Sequence, residues 1–250
     1  MPKIQKIDYL EEFKIELENI DKLEQTPMII REIAIQGLDN AIGEIIATGK
    51  MGLTKQSLEN SKRGLENIGE QSIKNNFKII YSQMCILAVS SLEATLKKYF
   101  EDALSNFSNI NQANKDLKEI KISLAELVEN NLIYSGEFGK LVLSKTNLSF
   151  QDLKSIKRIF SEYISYDIRL DSETEKQICF FLEARHVLVH KGGIADEKFI
   201  KSTNLFGANL KNYAVGDRID VGMNDWLSIK NSFIELVEQL DKYKPKNNII

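Results

Sequence analysis

The two histidines of this 250-residue chain, His186 and His190, lie four residues apart with Arg185 directly before the first, inside the stretch Cys179 to Asp196. Imidazoles exchange protons near neutral pH and a guanidinium grips phosphate oxygens in a planar fork, so the trio has the groups for acid–base work on a phosphate ester. Apolar residues at Cys179, Leu182, Val187 and Val189, behind a capping box of Ser172 and Glu175, predict a helix that Gly192-Gly193 ends. The polar trio then occupies its last turns. At about 100° per residue Glu183, His186 and His190 share a face, while Arg185 points well away from His190. One protomer with a regular helix therefore aims Arg185 and His190 apart; a frayed last turn, or two copies of the helix meeting across a twofold axis, brings both onto one phosphate.

Other chemistries compete for the same residues. Cations in a last helical turn are favoured by the helix dipole, which explains Arg185, His186 and His190 without any site. Glu183, His186 and His190 on one face suit zinc or iron, but the order His-Glu-x-x-His is absent, and a carboxylate-bridged bundle needs a second Glu-x-x-His that two histidines do not supply. No metal is expected. Gly192-Gly193 belongs to no Gly-rich run ending in Lys and Ser or Thr, so it is a helix stop rather than a phosphate loop, and no Gly-x-Ser-x-Gly is present.

The frame that must position these groups reads as all-α. The three prolines, Pro2, Pro27 and Pro245, stand at ends or at a first helical position, leaving Met28 to Lys244 free of the strongest helix breaker. Ile4, Ile7, Leu10, Phe13, Leu17, Ile20 and Leu23 form the stripe of a first amphipathic helix. Thr26-Pro27 caps a second, running through Ile29, Ile30 and Ile33 to Gly49 and expected to pair with the first as an antiparallel hairpin. Lys50 to Asn75, sparse in large apolar residues and interrupted by Gly52, Gly64 and Gly69, reads as a solvated helix or connector. A boundary near residue 72 separates this N-terminal hairpin and connector (1–72) from a second helical domain (73–250).

In the second domain a long helix from Phe77 to Leu104, apolar on most sides around Cys85 to Val89, reads as the central core helix and carries Glu93. Ser105 to Lys121 reads as a loop with some helix, and Ser123 with Glu126 caps a helix from Leu124 to Ile133. Ser149 opens a helix to about Ile164 whose outer face, Lys154, Lys157 and Arg158, is the best local basic patch. Asp196 caps a short helix to Lys201, and Asn209 to Val221 forms a small hairpin or ordered loop. Asn224 or Asp225 then starts a last helix with Trp226, Ile229, Phe233, Leu236, Val237 and Leu240 facing inward.

With 43% apolar and 28% charged residues the chain can bury a proper core. A net charge of −3 offers no global basic field for nucleic acid, so RNA contact must use local clusters of Lys and Arg. Cys85 and Cys179 each fall in an apolar helical stretch, as reduced core thiols of a cytoplasmic protein do. The start, Met1 to Lys6, lacks the apolar core of a signal peptide, and no apolar run is expected to reach the length of a membrane span.

Arg185, His186 and His190, followed by Lys191-Gly192-Gly193-Ile194-Ala195-Asp196, resemble the signature of HEPN domains: an Arg, a polar residue, then a His closing a helix before a glycine turn. Ser90-Ser91-Leu92-Glu93-Ala94-Thr95-Leu96 on the upstream helix and Val215-Gly216-Asp217-Arg218-Ile219 before the last helix agree with it. The resemblance, to RiboL-PSP-HEPN-like ribonucleases of bacterial toxin and phage-defence systems, covers roughly residues 75 to 243.

It implies an up-down helical bundle, here with an extra N-terminal helical hairpin, and a homodimer whose cleft is lined by both copies of the motif helix. The implied activity is a metal-independent endoribonuclease with no cofactor. The 2′-hydroxyl attacks the adjacent phosphate, His190 acts as general base or acid and Arg185 stabilises the phosphorane, leaving a 2′,3′-cyclic phosphate and a 5′-hydroxyl. His186 stands where the family often has Asn or Asp, and either orients the phosphate or serves as the second acid–base group. Glu183 and Glu93 are supporting candidates; Lys191, Lys154, Lys157 and Arg158 are candidates for contact with the RNA backbone. A related toxin group carries, two residues after the His, a Tyr modified by a partner nucleotidyltransferase; Gly192 stands there, so that partner is not expected. An antitoxin or another defence-system protein is the remaining partner class. The alternative is a non-catalytic HEPN module binding RNA, nucleotide or protein, which the acidic balance favours. A third reading, a scaffold whose N-terminal hairpin docks on another component, gains if the first helix exposes its apolar stripe.

Overall fold

The computed structural model describes residues 8–49, 53–69, 72–73, 78–105, 115–121, 123 and 138–242, and every regular element among them is helical. In chain order these are α1 (Tyr9–Asp21), a 3-10 turn (Lys22–Gln25), α2 (Thr26–Ala47), α3 (Leu53–Glu66), α4 (Ile79–Ser105), α5 (Lys115–Glu119), α6 (Phe138–Lys145), α7 (Leu153–Ile164), α8 (Ser172–His190), α9 (Glu197–Leu205) and α10 (Met223–Asp241).

Helix α4 is the axis, contacting α1, α6, α7, α8 and α10. Met84, Ala88, Leu92, Leu96, Phe100 and Leu104 repeat at four-residue steps and Cys85 and Val89 form the neighbouring row, all fully buried. Each of the larger ones, Met84, Val89, Leu92, Leu96, Phe100 and Leu104, contributes about 1.5–3 kcal/mol by leaving water. Ile79–Leu104 is long and apolar enough to cross a bilayer, contrary to the expectation that no run reaches that length, and half of its apolar window is buried within the protein as in a core helix. Helix α10 faces Trp226, Ile229, Phe233, Leu236, Val237 and Leu240 onto the same core, as its spacing predicts. The middle of α8 is enclosed: Ile178, Cys179, Phe180, Phe181 and Leu182 are buried in succession.

The first hairpin differs from expectation. Helix α1 lies on α4 and α10, with Phe13 and Leu17 fully buried, and α2 pairs with α3. The anchor is Asp21, which accepts 2.6 Å hydrogen bonds from Trp226 Nε1 and Lys230 Nζ. Burial pushes the Asp21 carboxyl up, but those two bonds outweigh it and leave the group below its ordinary range. From Leu10 to Leu23 the stripe of the first helix is thus packed on the core, Ile4 and Ile7 lying outside the described residues, while Ile29, Ile30 and Ile33 of α2 stay 48%, 62% and 67% exposed.

Helix starts fall on carboxylates where the sequence offers a nearby serine. Asp152 Oδ1, not Ser149, caps α7 by accepting from Ser155 N at 2.8 Å. Asp171 caps α8 by accepting from Glu173 N and Thr174 N, so Ser172 is already helical. Gln25 precedes α2, and the Thr26 hydroxyl donates back to Lys22 O instead of capping. Gly222 precedes α10, with Asp225 Oδ2 accepting from its N–H. Asp196 caps α9 as expected, and that helix continues past Lys201 to Leu205. Residues 209–221 form an ordered loop, Tyr213 N donating to Asn209 Oδ1 and Asp220 N to Tyr213 OH, and its one bridge is to the residues after α8: Ala195 N donates to Asp217 O and Ile219 N to Gly193 O, both at 2.8 Å. The helix expected at Leu124 to Ile133 lies outside the described residues.

Candidate functional site

Helix α8 ends in a turn that only glycine adopts without strain. Lys191 N and Gly193 N both donate to Val187 O, at 2.9 and 3.1 Å, and Gly192 and Gly193 take φ of +61° and +80°. His190 is therefore the last helical residue. Its ring is exposed and tilted 54° to that of His186, with 5.0 Å between centroids. His186 and Arg185, closer to the enclosed middle of the helix, are half-buried.

Beside them lies a cavity of about 300 Å³ whose wall includes Glu93 of α4, Lys154 of α7, Glu183, Arg185 and His186 of α8, and Lys198 of α9. His190 is not part of that wall. A single protomer thus brings Arg185, His186, Glu183 and Glu93 together and leaves His190 outside, although angular spacing puts His190 on the face of Glu183 and His186; His190 closes the helix one turn beyond His186. Among the described residues no three His, Cys, Asp or Glu side chains gather as a metal site.

The electrostatics separate the candidates. Burial, then Lys198, His190 and Arg185, push the His186 imidazole below its ordinary value against the pull of Asp196, so at neutral pH it is a proton acceptor. Burial raises the Glu93 carboxyl despite attraction from Arg185 and Lys97. Glu93 Oε1 is buried with no hydrogen-bond partner in the protein, as is Arg185 Nε. Glu183 is also raised, by burial first and then by Asp152 and Asp196, with Lys198 and Ser202 opposing. Burial, with Glu183 and Asp152 adding, pushes the Cys179 thiol up to about 12, which removes it as a nucleophile despite its place on the cavity wall.

The predicted basic patch is divided by tertiary packing. Lys154 lines the cavity, Lys157 is bonded to Glu175 of the neighbouring α8, and Arg158 stands 3.9 Å from Glu162 on a separate groove. Lys191 Nζ lies 3.8 Å from Asp196 Oδ2. Lys198, Asp152 and Ser202, which the sequence did not single out, complete the wall. Lys198 had a signal: the short link from the α8 glycine stop to the Asp196 cap forces α9 back onto α8, so its first turn faces the last turns of the motif helix.

Compared with known proteins, the chain has no significant match to any family model, curated protein or solved structure.

Proposed function

We propose that the chain is a metal-independent endoribonuclease of the HEPN kind, an up-down helical bundle that packs α1 onto its core and carries α2 and α3 as an appended hairpin, acting in the cytoplasm in toxin–antitoxin or anti-phage defence. The supporting observation is the pair of imidazoles 5.0 Å apart beside Arg185, one of them held neutral. His186 takes the proton of the 2′-hydroxyl as its oxygen bonds to phosphorus. His190 supplies a proton to the 5′-oxygen as the P–O bond breaks, and Arg185 stabilises the phosphorane. The outward position of His190 supports a composite site shared between two copies. So do the apolar residues exposed on α4 and around the end of α8: Ile79 (57%), Leu87 (45%), Val189 (44%) and Ile194 (41%). Mixing an Arg185→Ala protomer with a His190→Ala protomer tests this, since a shared site regains one intact pair per mixed dimer. Restored RNA cleavage in the mixture is expected; an inactive mixture, or a monomer by sedimentation, contradicts it.

A second reading, a non-catalytic HEPN module that binds RNA, nucleotide or a protein, is favoured by the net charge of −3 and by the pairing of Lys157 with Glu175. An antitoxin or other defence protein finds its most apolar open surface on α2, at Ile30 and Ile33.

A further inference from the structure

A second cavity, of about 410 Å³, lies where the ends of α5 and α6 meet α7, and it is lined by Lys121, Lys145 and Arg158. Glu119 is the one carboxylate on its wall among the described residues. All three cations are exposed, so water and solutes reach them. Arg158 also stands 3.9 Å from Glu162, but an ion pair whose side chains are 55% and 49% exposed is worth little and yields to a phosphate. In a chain of net charge −3, three cations against one carboxylate reverse the sign locally.

This groove adjoins the motif cavity. Its lining includes Lys145–Leu148, and the cavity beside Arg185 and His186 takes up the same stretch of chain at Ser149 and Gln151–Lys154, with only the buried Phe150 between. On α7, Lys154 lines the cavity and Arg158 the groove, one turn apart and about 6 Å along the axis. Lys198, exposed in the first turn of α9, adds a further cation to the cavity wall. Of the carboxylates there, Asp152 accepts from Ser155 N as the cap of α7, and burial raises Glu93 and Glu183 toward their neutral forms. Cations spaced along adjoining cavities suit a polyanionic backbone, because each phosphate they neutralise releases condensed counterions.

We infer that groove and cavity together hold a single strand of RNA, its phosphates running from Lys121 and Lys145 past Arg158 and Lys154 to the motif. The inference deepens the ribonuclease reading and rests on it for the kind of strand. Attack by a 2′-hydroxyl needs the attacking and leaving oxygens in line, which an unstacked strand reaches and a stacked A-form helix does not. Contacts to backbone charge set affinity and the length of strand held, not its sequence.

Fluorescence anisotropy with 2′-O-methyl RNA, which has no free 2′-hydroxyl to attack its phosphates, tests binding apart from cleavage. Single strands from dinucleotide to decamer, and a duplex of the decamer, are titrated with the full chain between about 50 and 200 mM salt. Affinity should rise with length past the dinucleotide, and the duplex should bind at least about tenfold more weakly than the single decamer. Each phosphate contact adds about 0.7 to the salt slope of single-strand binding, so the triple variant Lys121→Gln, Lys145→Gln, Arg158→Gln should flatten that slope by about 2. The triple variant Lys22→Gln, Lys55→Gln, Arg63→Gln removes the same charge from residues that line neither cavity and should change the slope by less than about 0.5. The length and duplex comparisons use the wild type, so they do not depend on how a variant folds. Equal flattening by both triples, a duplex bound as tightly as the strand, or no gain past the dinucleotide overturns the inference. So does an absence of binding, which would give the groove to an acidic protein. A wild type that holds single strands in this way yet cuts no unmodified RNA keeps the groove and ends the ribonuclease reading. One that cuts RNA while the first triple keeps the wild-type slope and length dependence ends the groove and leaves the ribonuclease standing.

Discussion

Replacing Glu93 by Gln should make the protein more stable. An ionised carboxylate that is 9% exposed, with one oxygen unpaired, forgoes hydration that the protein does not restore. A buried unsatisfied acceptor costs about 1–3 kcal/mol, and more when charged. Attraction to Arg185 and Lys97 offsets part of this, yet the carboxyl still sits above its ordinary value of 4.5, so the charged form is disfavoured on balance. The amide keeps the shape and removes the charge. A gain of about 1 kcal/mol follows, which for a chain of this size raises Tm by about 2–4 °C. The pH dependence fixes the sign. A carboxyl whose folded pKa exceeds its unfolded one stabilises fully below the unfolded pKa and loses that stabilisation as pH rises through the folded pKa. The advantage of Glu93→Gln should therefore be small below the ordinary carboxyl value of 4.5, grow as pH rises through the raised value and level off above it. Thermal melts followed by circular dichroism across that range measure it. A variant less stable than wild type at the upper end, or a gain independent of pH, refutes the reasoning, because it would mean that Glu93 is satisfied by Arg185.

Gly193→Ala should cost about 1–2 kcal/mol in urea unfolding, because φ of +80° strains any Cβ even though the nearest side-chain atom, Leu188 Cδ2, leaves ordinary room at 3.5 Å. Gly193→Asn should cost less, and an equal loss in both would put the effect on packing instead of the backbone. For RNA cleavage, kcat/KM should fall on the acid side through a pKa below the ordinary imidazole value of 6.5. Burial, Lys198, His190 and Arg185 hold His186 down there while Asp196 pulls it up. Lys198→Ala should move that limb toward higher pH, and a limb already at or above 6.5 in the wild type contradicts the assignment of His186 as base.

What the sequence discloses about this molecule is mostly short-range. The Gly192-Gly193 stop and the Asp196 cap are set within a turn, and the four-residue rows of α4 and α10 announce burial wherever they dock. The stripe of α1 likewise says that it must be covered, but not by what. Trp226 and Lys230, more than two hundred residues away, choose α10 by meeting Asp21. Caps slipped where Ser172 stood beside Asp171 or Ser149 near Asp152, since periodicity locates a start only to within a few residues and the carboxylate captures the free N–H groups. The site divides the same way. Arg185, His186 and His190 are visible as a motif, whereas Asp152 and Ser202 reach the cavity only after α7 and α9 fold against α8, and Lys157 leaves the basic patch through the same contact.

The most direct measurement is to incubate the purified chain with total RNA in EDTA, beside the Arg185→Ala, His190→Ala double variant, and to determine the new ends. Cleavage by the wild type alone, leaving 2′,3′-cyclic phosphate and 5′-hydroxyl ends, is the expected result. Intact RNA with a folded dimeric wild type, or equal cleavage by the double variant, contradicts a ribonuclease site at the end of α8.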